Sequence, residues 1–410
     1  MNYRGWVWIA VPAVLAVWAP LLWAGTETVI YSFAGGSSDG ANPKRPVVMS
    51  SGGALYGTTV YGGGTGNGGM GYGTVFEMTE SGGVWSETPI LNFAGTDGGE
   101  PDGALVINGS SLYGTTSIGG TNSDGTAFQL KYSSGTWTET VLYDFAGGND
   151  GANPYAGLVQ TGGVLYGTTY NGGSSSDGTV FSLTPPPPSW SEAVIYTFTG
   201  PSDGANPHAP LLAASSTVFY GTTYNGGSTH SCATVGCGTV FELQNSSGTW
   251  SESVLYKFGC NGCTSNDGKN PHGAVVMDSS GALYGTTLAG GANGDGTLYK
   301  LTESGGTWSE TILHSFGSIT NDGKEPRASV IIAPSGVLYG TTTLGGANGC
   351  GTIYSYNPST SAYVLLYSFG GSGSGDGCNP YADLLYSGGV LYGTTYSGGA
   401  NGYGTVFTWQ

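Results

Sequence analysis

Positive charge is scarce in this chain: nine Lys and Arg stand against 26 Asp and Glu in 410 residues, a formal charge of -17. Nucleic-acid binding depends on clustered Lys and Arg that displace counterions from phosphate, so that function class drops out. Charge of either sign is sparse, at 9% of residues, which excludes a disordered polyelectrolyte. The composition of an ordinary helical protein is missing too. Gly supplies 78 residues, and Gly between short apolar runs reads as an all-β chain. No catalytic constellation is recognisable, and the abundant Ser and Thr lend a serine hydrolase no support.

What is present is repetition. Tyr-Gly-Thr-Thr occurs seven times, beginning at Tyr56, Tyr113, Tyr166, Tyr220, Tyr284, Tyr339 and Tyr392. A spacing of roughly 50 to 65 residues marks a repeat architecture. Each unit reads as four short strands: one after a Pro, one at Leu-Tyr-Gly-Thr-Thr, one at Gly-Thr-Val-Phe, and one at Glu-Thr-Val-Leu-Tyr-x-Phe. The first three occur seven times, but the seventh unit ends at Gln410 without its fourth, and Thr28–Phe33 is the spare copy. A seven-bladed β-propeller with four-stranded blades, its N-terminal strand completing the last blade, uses every strand and leaves no open sheet end in the ring. A stacked solenoid would need capping repeats and would not explain the split unit.

The small residues then acquire roles. Gly57 and its six equivalents sit inside a strand, where close approach of a neighbouring blade is the expected reason. Paired glycines such as Gly62-Gly63 permit positive φ in the following loop. The loop between blades carries Asp-Gly-x-Asn-Pro at Asp39, Asp150, Asp203, Asp267 and Asp376, with Glu for Asn after Asp97 and Asp322. Turn chemistry is the favoured reading over calcium binding, because no alternating ladder of Asp with a terminal Glu is present. Trp85, Trp137, Trp190, Trp250 and Trp308 recur before the fourth strand, with Tyr363 taken as the sixth, and read as blade packing rather than a sugar platform. Pro185 to Pro188 reads as a stiff surface excursion.

On Leu-Tyr-Gly-Thr-Thr, the paired Gly, Gly-Thr-Val-Phe, Val-Leu-Tyr-x-Phe and Asp-Gly-x-Asn-Pro, the sequence resembles the choice-of-anchor tandem-repeat proteins that contain the GloVer repeat. The resemblance covers nearly everything after the first two dozen residues. It implies an exported bacterial repeat protein and carries neither an established activity nor catalytic residues.

Short and basic Met1–Arg4 followed by apolar Gly5–Trp23 reads as an export signal, so residues 1–24 are assigned to a signal peptide or retained N-terminal anchor and 25–410 to one propeller. Either way the body is expected outside the cytoplasm, at the cell surface, in the periplasm or secreted. Membrane contact is expected only if the segment is retained, and the chain is read as a monomer. Six cysteines in an exported chain favour three disulfides. The expected pairs are Cys237 with Cys260, Cys232 with Cys263, and Cys350 with Cys378. Cys260 and Cys263 together with Cys232 and Cys237 offer a zinc alternative, which is disfavoured in an oxidising compartment, and no metal or cofactor is assigned.

In a nearly constant repeat, the informative position is the one that changes. It follows the inter-blade Pro and holds Lys44, Asp102, Tyr155, His208, His272, Arg327 and Tyr381, which should ring the mouth of the central channel. The next position is mostly small, at Gly103, Ala156, Ala209, Gly273, Ala328 and Ala382. Lys44, Arg45, Lys269, Lys324 and Arg327 are five of the nine cations, and all lie in or beside this loop. Cations gathered on an acidic protein suggest an anionic ligand such as a uronic-acid or sulfated glycan. The contrary reading is a solvated mouth on which nothing depends. Tyr61, Tyr170, Tyr224 and Tyr396, with Asn171 and Asn225, belong to the same face and suit sugars or loop packing.

The leading expectation is therefore a non-enzymatic exported propeller that binds an extracellular glycan or surface protein. The alternatives are a polysaccharide lyase, with Tyr155 or Tyr381 moving a proton while His208, His272 or Arg327 neutralises a uronate, and a structural or adhesive surface protein.

Overall fold

The computed structural model describes residues 25–185, 190–227, 232, 235–259, 266–371, 373 and 375–410. The expected signal or anchor over residues 1–24, Pro186 to Pro188, and Cys260 and Cys263 lie outside the described residues. Those described are strand and loop, apart from 3-10 turns at Asn67–Gly69 and at Gly373. No helix among them is long and apolar enough to cross a membrane.

Seven four-stranded antiparallel sheets form the blades of a β-propeller. Blade 1 runs outward through Val48–Met49, Leu55–Thr59, Thr74–Ser81 and Val84–Asn92. Blades 2 to 6 repeat this order over 106–144, 159–197, 212–257, 276–315 and 331–368. Blade 7 takes three strands from 385–409, and Glu27–Ser32 supplies its rim, pairing Glu27 with Trp409 and Ser32 with Thr405. First and last strands are thus hydrogen-bonded neighbours, and the ring has no free sheet end.

Each residue of Tyr-Gly-Thr-Thr has a separate task. The Tyr meets the Trp of the next blade edge to face, as in Tyr56 with Trp137 at 5.7 Å and Tyr166 with Trp250 at 6.0 Å. The first Thr reaches the next blade near the axis: Thr115 donates to Ala156 O at 2.8 Å, and Thr286 to Ala328 O at 2.8 Å. The second Thr bonds the Thr that opens the third strand, at 2.8 Å for Thr59 with Thr74. The Gly makes room. A Cβ on Gly57 would fall 2.4 Å from the Phe76 ring of its own blade, so that ring, and not the expected neighbouring blade, forbids a side chain.

Phe76 in turn meets Phe33 of blade 7 edge to face at 5.2 Å, and equivalent pairs recur at the other blade boundaries, for example Phe145 with Phe181 at 5.0 Å and Phe369 with Phe407 at 5.1 Å. These fully buried rings are the cores between blades. Each is worth its buried area plus roughly 0.5 to 1.5 kcal/mol of ring geometry.

One expectation is corrected by register. Tyr363 pairs with Tyr356 as Glu310 pairs with Leu301, so Tyr363 takes the place of the repeated Glu and not of the Trp. Every outer strand also carries a bulge, as between Val75 and Phe76 opposite Ile90, which turns the following residues toward the next loop. Cysteine pairing is corrected in part. Cys350 joins Cys378 as expected, with Cα atoms 4.6 Å apart. Cys232 joins Cys237 instead of Cys263, with Cα atoms 5.3 Å apart inside one loop, and this removes Cys237 from Cys260 and two thiolates from the zinc alternative. Disulfides of this kind belong to an oxidising compartment.

Candidate functional site at the channel mouth

The loop between blades is built to hold its Pro still. Its Asp caps the turn: Asp39 accepts from the Ala34 amide at 2.6 Å and the Tyr31 hydroxyl at 3.1 Å, and Asp376 from the Gly370 amide at 2.6 Å and the Tyr367 hydroxyl at 2.8 Å. The Asn is left-handed, with φ of 60° at Asn42 and 57° at Asn206. In that conformation its Nδ2 donates backwards across the blade boundary, from Asn42 to Tyr396 O at 2.8 Å and from Asn206 to Tyr170 O at 3.0 Å. The Pro then packs on the preceding blade, where a Cβ on Gly238 would lie 2.6 Å from Pro271 Cδ. Loop carboxylates are thereby committed to turns. Among the described residues, no group of three or more His, Cys, Asp or Glu side chains could hold a metal ion.

The residue after each Pro faces the mouth, and the seven do not form an even ring. Lys44, Tyr155, His208, His272 and Arg327, joined by Tyr170 and Tyr224 from the loops between second and third strands, line one cavity of about 360 Å³. Its aromatic groups are stacked in sequence. Tyr155 lies parallel to His208 at 5.2 Å, and His208 sits 3.9 Å from His272. Tyr170 stands on edge to Tyr155 at 5.3 Å, and Tyr224 on edge to His272 at 6.2 Å.

Both imidazoles are neutral at ordinary pH. Burial, then the nearby Arg45 and Arg327, press His272 down to about 3, and burial, then His272 and the surrounding cations, hold His208 well below its usual range. His272 Nδ1 lies 3.0 Å from Arg327 O, a contact that suits Nδ1 as donor and leaves Nε2 an acceptor. His208 Nδ1 and Arg327 Nε are buried polar atoms without a protein partner.

Asp102 and Tyr381 stand beside the cavity rather than in its lining. Asp102 accepts the Lys44 ammonium at 2.9 Å. Arg327 is bridged to Glu325 at 2.9 Å and lies over the Tyr381 ring at 5.2 Å, with Tyr396 next to Tyr381 at 5.3 Å. The mouth is therefore more evenly balanced in charge than a count of its cations suggests. Lys324 belongs elsewhere, bridged to Asp295 at 3.1 Å. Asn171 and Asn225 donate to Asn153 and Asn206 Oδ1 at 2.9 and 3.0 Å, which makes them loop supports.

Below the mouth the channel is closed by a residue whose role the repeat pattern concealed. Arg45 occupies the otherwise small second layer, donating Nε to Asp102 O and Nη2 to Tyr155 O at 2.9 Å. Asp383 faces the same interior and accepts from the Ser329 amide at 2.6 Å; burial raises its pKa, and Arg45 acts in the opposite sense. The signal available was that each is a lone charge in a repeat layer of Gly, Ala, Pro and Ser. Two Gly-x-Ser-x-Gly spacings do occur, at Gly36–Gly40 and Gly200–Gly204, but Ser38 and Ser202 are exposed in turns and no helix follows either.

The profile of the Gloeobacter/Verrucomicrobia repeat matches residues 21–235 and again 227–410. No curated protein matches the sequence. Among solved structures, a putative 6-phosphogluconolactonase from Bacteroides uniformis is similar at a TM-score of 0.52 and 15% identity, over 83% of this chain and 88% of that one. A Trypanosoma rangeli sialidase in complex with sialic acid reaches a TM-score of 0.42 at 10% identity, over 94% of this chain and 58% of that one. At such identities the likeness is one of fold alone.

Proposed function

The chain belongs to the Gloeobacter/Verrucomicrobia repeat family, and from the geometry of its channel mouth we propose that it is an exported binding module that holds an acidic saccharide there. The observation that carries this reading is the single cavity of about 360 Å³ in which Lys44 and Arg327 join a stack of Tyr155, His208 and His272. That volume falls in the usual range for small-molecule sites. Rings supply stacking area, while the unpartnered His208 Nδ1 and Arg327 Nε are available to the hydroxyls and acid group of a sugar. Arg45 supports a closed site by obstructing the passage beneath it.

Binding is favoured over lyase chemistry because burial, followed by Asp102 and Glu100, raises the Tyr155 pKa and makes a tyrosinate base costly. His272, at about 3, is a weak base as well. The test is a screen of residues 25–410 on a glycan array, with mass analysis of whatever is retained. Retention of intact uronic-acid or sulfated glycans, weakened at least about tenfold by Lys44→Glu with Arg327→Glu, is the expected result. Unsaturated fragments would move the site to a lyase, and unchanged affinity in the double variant would remove the ligand from the mouth.

A further inference from the structure

The opposite face of the ring, made by the turns between first and second and between third and fourth strands, carries a second position that varies between blades. It is the fourth residue of the third strand, directly across from the motif Tyr, and it reads Glu77, Gln129, Ser182, Glu242, Lys300, Ser355 and Thr408 around the ring. Two of the boundaries between blades open into sizeable cavities on this face, of about 280 Å³ between blades 1 and 2 and about 480 Å³ between blades 4 and 5. These are the two boundaries where the variable residue is Glu.

Their chemistry matches. Between blades 1 and 2, Glu77 accepts the Tyr56 hydroxyl at 2.6 Å, with Trp137 5.7 Å from the Tyr56 ring and Tyr132 a further 5.1 Å from Trp137. Between blades 4 and 5, Glu242 lies against the Tyr220 hydroxyl, Trp308 is 6.4 Å from the Tyr220 ring, and Glu303 is a second carboxylate in the lining. Among the described residues, neither lining contains a Lys or Arg. A carboxylate beside Trp and Tyr faces is the environment that attracts an organic cation.

One boundary shows what such a groove accepts. Where the variable residue is Lys300, its Nζ lies 5.4 Å from the centroid of the motif ring Tyr284. An ammonium provided by the chain is accommodated over the same repeat Tyr that stands beside Glu77 and Glu242 elsewhere.

We propose that the grooves lined by Glu77 with Trp137 and by Glu242 with Trp308 are two binding sites for a ligand bearing primary ammonium groups. This site class is separate from the channel mouth and does not depend on it. Glu supplies the counter-charge, Trp and Tyr supply ring faces, and two grooves on one ring allow a polyvalent chain to be held twice.

The test is calorimetric titration of the disulfide-intact protein with a β-1,4-linked glucosamine tetramer, its amines protonated, against the same tetramer fully N-acetylated. The expected result is saturable, salt-sensitive binding of the amine form, about tenfold or more weaker for the acetylated form. Glu77→Gln with Glu242→Gln should abolish this preference, while Lys44→Glu with Arg327→Glu should leave it intact. Gln keeps an acceptor for the Tyr hydroxyls, so the melting temperature should hold, and Glu242→Gln alone, halving the number of sites, serves if the double variant folds poorly. Equal binding of the two tetramers would make these neutral-sugar grooves. That outcome, no binding, or an undiminished preference in the Gln variants would overturn the proposal.

Discussion

Asn206 shows how much of this ring is decided by single residues. It combines a left-handed backbone, φ 57°, with a side chain that donates to Tyr170 O of the preceding blade and accepts from Asn225 Nδ2 at 3.0 Å. Ala at this place loses both bonds and keeps a Cβ in a region that costs an L-residue roughly 1 to 2 kcal/mol. Gly loses the bonds without the backbone strain, though it frees the unfolded chain. Asn206→Ala should therefore be destabilised by about 2 kcal/mol or more, and Asn206→Gly by about 1 kcal/mol less, as read from the midpoints of urea unfolding. Equal midpoints for the two variants would mean that backbone conformation contributes little at this loop. At Glu100 and Glu325 the same left-handed place is held by Glu, with φ of 50° and 52°, so two of the seven joints do without the Asn bond.

Among the elements, the loop joining blades 6 and 7 is tied by a disulfide as well as by hydrogen bonds. Cys378 lies in the two-residue strand that pairs with Ser397–Gly398, and it bonds Cys350 of blade 6 while the Asn379 amide donates to Cys350 O at 2.8 Å. Cys350→Ser with Cys378→Ser should lower stability by about 2 to 4 kcal/mol and leave the far ultraviolet circular dichroism unchanged. A melting temperature equal to the parent's would show that the hydrogen-bonded loop holds without the bond. Elements of this kind were readable in the sequence to different degrees. The strands and the closing pair of Glu27–Ser32 with Thr405–Trp409 follow from counting repeats, because a motif present seven times exposes any missing or spare copy, whereas Cys350 with Cys378 was expected only because both lie in loops on one face. The outer-strand bulges do not, since the extra residue, Ile90 in blade 1 or Leu142 in blade 2, is as apolar as a paired one. Tyr363 was misplaced because the repeated Trp and Glu lie two residues apart on one face of the strand, so a two-position slip leaves the side chain's face unchanged. Positions of the mouth residues were legible because they vary where neighbours are constant. Their grouping was not, because the cavity depends on which rings stack and on the ion pairs Lys44–Asp102, between two loops, and Arg327–Glu325, within one.

Across the whole molecule, the repeat places an acid pair at six of the seven blade boundaries. The outer-strand Glu of one blade faces the loop Asp of the preceding one: Glu27 with Asp376, Glu87 with Asp39, Glu139 with Asp97, Glu192 with Asp150, Glu252 with Asp203, and Glu310 with Asp267. Each of these Glu Oε1 atoms is buried without a partner. Burial first, then the facing Asp, pushes Glu27, Glu139, Glu192 and Glu252 up to about 7 and Glu87 to about 8, and raises Glu310 in the same direction. The sign for stability follows from proton binding. Between the ordinary Glu value of 4.5 and these raised values, the folded ring holds protons that the unfolded chain has released. Their contribution is complete below about pH 4.5 and is lost as pH rises to about 8. The remaining boundary works in the opposite sense. There Asp322 accepts His314 Nε2 at 2.9 Å and the Tyr363 hydroxyl at 2.8 Å, and these bonds outweigh burial to lower its pKa, so its contribution is lost as pH falls. Six boundaries against one set the balance: the melting temperature should decline steadily from about pH 5 to pH 8, and Glu87→Gln, which needs no proton to remain neutral, should flatten that decline. A melting temperature that rose over this interval, or a Glu87→Gln variant with the parent's slope, would mean that the acid pairs are hydrated well enough to ionise without cost. If the decline is found, the ring's acidity is arranged to tighten the joints between blades in mildly acidic surroundings, where an ordinary protein of such negative charge would gain only from reduced repulsion.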